Sequence, residues 1–185
     1  MRGLDLGPRQ AETVRRLLEA GGAHLAEVGH EALTVRQVAE RAGVSPATAY
    51  TYIASKQHLI AQLFLAHLVD QPEVDTSAAD AVSRVQALTR QLVDSLATQP
   101  RLSAGATSAL LGSDDGVAEL RLEIGSEFFR RFEAATGPGV DPVVLDALIL
   151  AFTGALLQVG MGLLTYPAMR ERMDAVVATI LRGNA

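Results

Sequence analysis

Apolar residues recur along this chain at intervals of three and four, and almost nowhere at intervals of two. That periodicity predicts helices throughout and no sheet. The first helix is expected from Arg9 to Val28, with Val14, Leu17, Leu18, Leu25 and Val28 on one face and Gly29 placed to end it. Thr34 reads as the N-cap of a short second helix reaching Ala42, and Gly43 as the turn residue after it. Ser45-Pro46 is an N-cap followed by a first helical position, which starts a third helix running to Tyr52. Ser55 opens a fourth, carrying Leu59, Ile60, Leu63, Phe64 and Leu68.

Gln71 to Thr76 is a polar break and the expected domain boundary. Beyond it Val82, Val85, Leu88, Leu92 and Leu96 form one stripe ended by Pro100, and a shorter helix is expected from Arg101 to Leu111. A loop at 112–116 precedes a long helix marked by Val117, Leu120, Ile124, Phe128 and Phe132, which stops at Gly137-Pro138-Gly139. Asp141-Pro142 starts the most apolar helix, expected to reach Thr165. Pro167 separates it from a last helix with Met169, Met173, Val176, Val177, Ile180 and Leu181. The expected fold is therefore all-α, with about nine helices. Residues 1–54 form a small head, a helix over 55–70 links it, and residues 71–185 form the body.

The stretch 147–166 is twenty residues without a charge, long enough to span a bilayer. Asp146 at its start, Gln158 inside it, its glycines and the lack of a flanking Lys/Arg cluster favour a helix buried in protein instead. No membrane partner is expected. The first residues lack the apolar core of a signal peptide, and the chain has no cysteine, which fits a cytoplasmic protein.

Net charge is −5, at first sight wrong for a nucleic-acid partner. Its distribution changes that reading. Residues 1–67 hold seven Lys/Arg against six Asp/Glu, a net of +1, while 68–185 hold nine against fifteen, a net of −6. A weakly basic head on an acidic body suits DNA binding through a small patch.

The patch is Leu33 to Leu59, LTVRQVAERAGVSPATAYTYIASKQHL. Ala39 is small enough for two helices to cross closely, and Gly43 tolerates the turn. The third helix exposes small and hydroxyl side chains near its N-terminus and phenols further on, so its backbone can approach base edges and phosphates. This segment resembles the DNA-binding region of the TetR/AcrR family of bacterial transcriptional regulators, over roughly Arg9 to Leu68. Ile53 stands where that family usually has Phe, and His58 where an acidic residue is more usual. Carried over position by position, the resemblance implies DNA contacts from Thr34, Arg36, Ser45, Ala47, Thr48, Tyr50, Tyr52 and Lys56. It also implies a homodimer through helices 141–165 and 167–182, and a small molecule held in the body.

The apolar helix from Asp141 has more than one apolar face, and a second copy of the chain would cover the other. A dimer spaces two recognition helices about 34–36 Å apart and so expects a near-palindromic, double-stranded operator. Candidate effector-pocket residues are Leu92, Leu110, Phe128, Phe132, Phe152, Gln158 and Met161, with Gln158 singled out because a buried amide calls for a hydrogen-bond partner. The scarcity of charge there suggests an apolar or amphipathic effector. No catalytic signature, cofactor fingerprint or metal spacing stands out among the histidines and carboxylates, so no enzyme, cofactor or metal is expected. Glu119, Glu123 and Glu127 beside Arg121, Arg130 and Arg131 read as a solvated face. Three functions fit this sequence: a ligand-released repressor, a DNA-binding regulator governed by a protein partner or by abundance, and a helical interaction protein whose helix-turn-helix is structural.

Overall fold

The computed structural model describes residues 7–73, 75, 77 and 80–182. Val74 and Thr76 of the expected linker, with residues 1–6 and 183–185, lie outside them. Among the described residues there are nine α-helices, one 3-10 turn and no strand. The helices are α1 (Pro8–Ala32), α2 (Val35–Arg41), α3 (Pro46–Tyr52), α4 (Lys56–Val69), α5 (Ala81–Thr98), α6 (Pro100–Leu111), α7 (Ala118–Thr136), α8 (Pro142–Gly160) and α9 (Tyr166–Leu181), with the 3-10 turn at Asp115–Val117.

The starts follow local signals. Asp80, Asp141 and Thr165 accept from the backbone N–H of Ser83, Val143 and Ala168, which satisfies donors that an open helix end leaves orphaned. α1 is interrupted at Gly29, the expected stop, and the chain makes one more turn before α2. The end of α8 departs from expectation by one and a half turns. It stops at Gly160 because Gly162, at φ 73°, takes the left-handed position of a Schellman cap. There the Leu163 N–H donates to Gln158 O and the Gly162 N–H to Val159 O, both at 2.9 Å. Pro167 lies inside the first turn of α9 rather than ahead of it.

One apolar cluster runs from Leu17 of α1 through Leu59 and Phe64 of α4 to Phe132, Phe152 and Met169 of the body. α4 is the shared element, packed on α1, α6 and α7. α6 lies against both α1 and α4 because Gly105 lacks a side chain: a Cβ there would meet His30 Cβ at 2.9 Å and Ile60 Cγ2 at 3.2 Å. Phe152 of α8 joins the body helices, its ring 5.7 Å from Phe128 and 5.6 Å from Phe132 in tilted and edge geometries.

The acidic and basic ladder on α7 is only in part the solvated face its spacing suggests: Glu119 and Arg130 are exposed. Arg131 is fully buried, donating from Nε to Glu127 at 2.7 Å and from its terminal nitrogens to Pro72 O, Leu68 O and Gln71 O at 2.9–3.0 Å. Arg121 is also turned inward, onto Leu110 O at 2.9 Å. Both arginines serve as caps for backbone carbonyls where α4 and α6 end.

Candidate nucleic-acid interface and body cavity

The helix-turn-helix is built from two caps and a glycine. Thr34 Oγ1 accepts the Gln37 N–H at 3.3 Å and starts α2. Gly43, at φ 67°, ends it: the Val44 N–H reaches back to Ala39 O and the Gly43 N–H to Glu40 O, both at 3.0 Å. Arg16 of α1 donates to Ala42 O and holds this turn against the first helix. Ser45 Oγ then accepts the Thr48 N–H at 3.1 Å and lies 2.8 Å from the Thr48 hydroxyl, starting α3. Val38, Ala39 and Ala49 are fully buried under the crossing.

That burial leaves Thr34, Arg36, Ser45, Ala47, Thr48 and Tyr50 exposed, with Tyr50 55% accessible. Tyr52 and Lys56 are half-buried. Tyr52 packs on the core, and Lys56 Nζ donates to Glu31 O at 3.2 Å, tying the start of α4 to the end of α1. Two other cations of the head are in ion pairs. Arg41 forms a fork onto Glu27 at 2.5 and 2.6 Å, and Arg15 pairs with Glu12 at 2.8 Å and with Glu19. Among the described residues Arg36 has no ion pair.

α4 starts with a box in which Ser55 Oγ accepts the His58 N–H at 2.9 Å and His58 Nδ1 accepts the Ala54 N–H at 3.0 Å. His58 thus does the work of the acidic residue more usual there, but only while Nδ1 is unprotonated. Burial lowers its pKa, with Asp114 nearby opposing the shift. Folding therefore favours the uncharged ring, so this contribution to stability is present above the ordinary histidine value of 6.5 and is lost as pH falls through the lower folded value. Tm should decline from about pH 7 to about pH 5, and more shallowly in His58→Gln, whose amide oxygen accepts from Ala54 throughout. Identical slopes would remove His58 as a source of acid sensitivity.

In the body, α4, α6, α7 and α8 surround a cavity of about 480 Å³. Phe64, Leu110, Ile124, Phe128 and Leu156 form apolar walls, and Gly125 leaves space that a Cβ would enter without touching anything. The hydroxyls of Ser103, Thr107 and Thr153 line it but donate to backbone carbonyls at 3.1, 3.1 and 2.8 Å. No carboxylate lines it among the described residues.

Residues 17–63 match the family model described as bacterial regulatory proteins, tetR family. An uncharacterised HTH-type transcriptional regulator of Mycobacterium tuberculosis is 44% identical over 95% of this chain and 83% of its own. The chain belongs to the TetR family of transcriptional regulators. The HTH-type transcriptional repressor KstR of Rhodococcus jostii is 28% identical over 76% of this chain and 68% of its own. A TetR transcriptional regulator from Rhodococcus sp. RHA1 superposes with a TM-score of 0.82 at 19% identity, covering 97% of this chain and 100% of that one, which establishes the shared fold.

Within this TetR-family regulator, the eight residues expected at DNA all lie on or beside α2, α3 and the start of α4. The candidate pocket residues divide. Leu110 and Phe128 line the cavity. Leu92, Phe132 and Phe152 are buried core and do not line it. Gln158 and Met161 are exposed, so the amide singled out as buried faces outward. Sequence reasoning missed large wall residues, Phe64, Ile124, Leu156 and Tyr166 among them, and also small ones, Ala104, Ala106 and Gly125. The signal of the small ones is volume left unfilled, which periodicity does not register.

Proposed function

We propose that this regulator is a dimeric repressor of a near-palindromic operator, released when an apolar or amphipathic small molecule enters the body cavity. Residues 1–54 act as the DNA-reading head, the helix over 55–70 as the link and 71–185 as the body. The observation that carries the reading is the place of the cavity: Phe64 of α4, the helix that follows α3 and ends in the body, forms part of its wall. A ligand seated there bears directly on the helix that positions the reader. Without a lining carboxylate the cavity suits neutral or anionic ligands rather than cations. The repressor named for R. jostii supports the sign of regulation.

Dimerisation is supported by the outer face of α8. Val143, Ala147, Leu150, Gly154, Leu157 and Met161 follow one another at intervals of four and three, the spacing of a helix–helix seam. Val143 and Leu150 are 72% and 71% exposed, and nothing within the chain meets a Cβ at Gly154. α8 is also long and apolar enough to cross a membrane, yet its other face packs on α7 and α9. A second copy covers the seam with the same surface.

Selecting bound sites from random DNA tests the core of this reading, and a near-palindrome is expected. Thr48→Ala and Tyr50→Ala should each weaken binding to the selected site by about tenfold or more while the protein stays folded, since a good base or phosphate contact contributes about 1–3 kcal/mol. Unchanged affinity in both would overturn the contact assignment. A compound that raises Tm and also releases the operator would identify the effector class.

A further inference from the structure

Among the described residues Arg131 is the one arginine with no accessible surface, and it is neither an expected DNA contact nor part of the cavity wall. Four of its five N–H donors are engaged. Three bonds end on Leu68 O, Gln71 O and Pro72 O, the last turn of α4 and the chain leaving it. The fourth ends on Glu127, one residue before Phe128 of the cavity wall. Glu127 is itself held by Arg130, which reaches on to Glu73 at 2.9 and 3.0 Å. The hydrogen bond from Arg130 is the largest influence keeping the Glu127 carboxyl below its ordinary pKa, so the acceptor is ionised. A guanidinium at the negative end of a helix, paired with a carboxylate and sealed from water, is a rigid join.

The same two helices meet across the cavity. Phe64 of α4 faces it one turn before Leu68, and Ile124 and Phe128 face it from α7. We propose that Arg131 is a positioning residue: by pinning the C-terminal end of α4 to α7 it fixes the resting angle of α4, and through it the spacing of two heads in a dimer. The inference rests on the operator-binding reading above.

The test compares wild type, Arg131→Lys, Glu127→Gln and, as a control for lost stability alone, Val177→Ala in the buried face of α9. Each is titrated with the operator selected by wild type and with the same site lengthened by one base pair between half-sites, at a temperature where circular dichroism shows it folded. Wild type should prefer the natural spacing. Lysine offers one nitrogen in place of a fork, and glutamine has no charge, so both variants should narrow that preference by tenfold or more. Val177→Ala should lower Tm and keep the preference intact. The proposal is overturned if folded Arg131→Lys and Glu127→Gln discriminate as wild type does, or if Val177→Ala loses discrimination equally. Should Arg131→Lys not fold, Glu127→Gln decides alone. A wild-type protein that binds no selected DNA would instead bring down the regulator reading on which the inference stands.

Discussion

Leu150→Glu should convert the protein to a folded monomer and lower operator affinity by at least about 100-fold. Leu150 lies midway along the outer seam of α8 and is 71% exposed in the single chain, so the substitution removes little from the core and the helical content should be unchanged. In a two-fold seam each position occurs twice, so each dimer would bury two carboxylates in an apolar interface without cations to pair them. Operator binding falls with the dimer because the second head then binds as a separate molecule and loses the effective concentration that tethering supplies. Sedimentation equilibrium and anisotropy titration on the selected operator measure the two effects. A variant that remains dimeric would remove α8 from the interface. One that is monomeric but binds undiminished would remove the dimer from operator recognition.

Phe152→Ala should be the most damaging single truncation in the body, at about 3–5 kcal/mol. The ring is fully buried and forms the meeting point of two other rings, so its loss removes apolar burial, leaves a cavity and breaks both aromatic contacts between α7 and α8. For a chain of this size such a loss lowers Tm by roughly 6–20 °C. The size of the effect distinguishes core from pocket. If Phe152 were a wall of the ligand site, alanine would mainly enlarge that site and Tm would move little. Calorimetry decides between them, and Phe152→Leu should recover most of the loss.

The head was legible because its signals are local. Ser45-Pro46, Thr34 and Gly43 act within four residues of themselves, and the structure places caps and turn at those positions. Helix periodicity likewise fixed which faces are apolar. The body hid what depends on distant partners. Arg131 looks like a surface charge in sequence, since its acceptors are backbone carbonyls 59 to 63 residues away and carry no side-chain signature. Gln158 looked like a buried amide because α8 is apolar nearly all round, and only packing tells which apolar face is inside. Gly162 looks in sequence like one more glycine of an apolar run, whereas its positive φ makes it the end of the helix.

The ion pairs of the head bear on how the protein finds its site. With Arg15 held by Glu12 and Glu19, and Arg41 by Glu27, two of the head's cations are less free to displace counterions from a phosphate backbone. Attraction to arbitrary DNA is then shallow, and the acidic body adds repulsion. If it reads DNA as proposed, such a molecule would slide less along the genome and search more by brief collisions, with residence at the operator set by fit more than by charge.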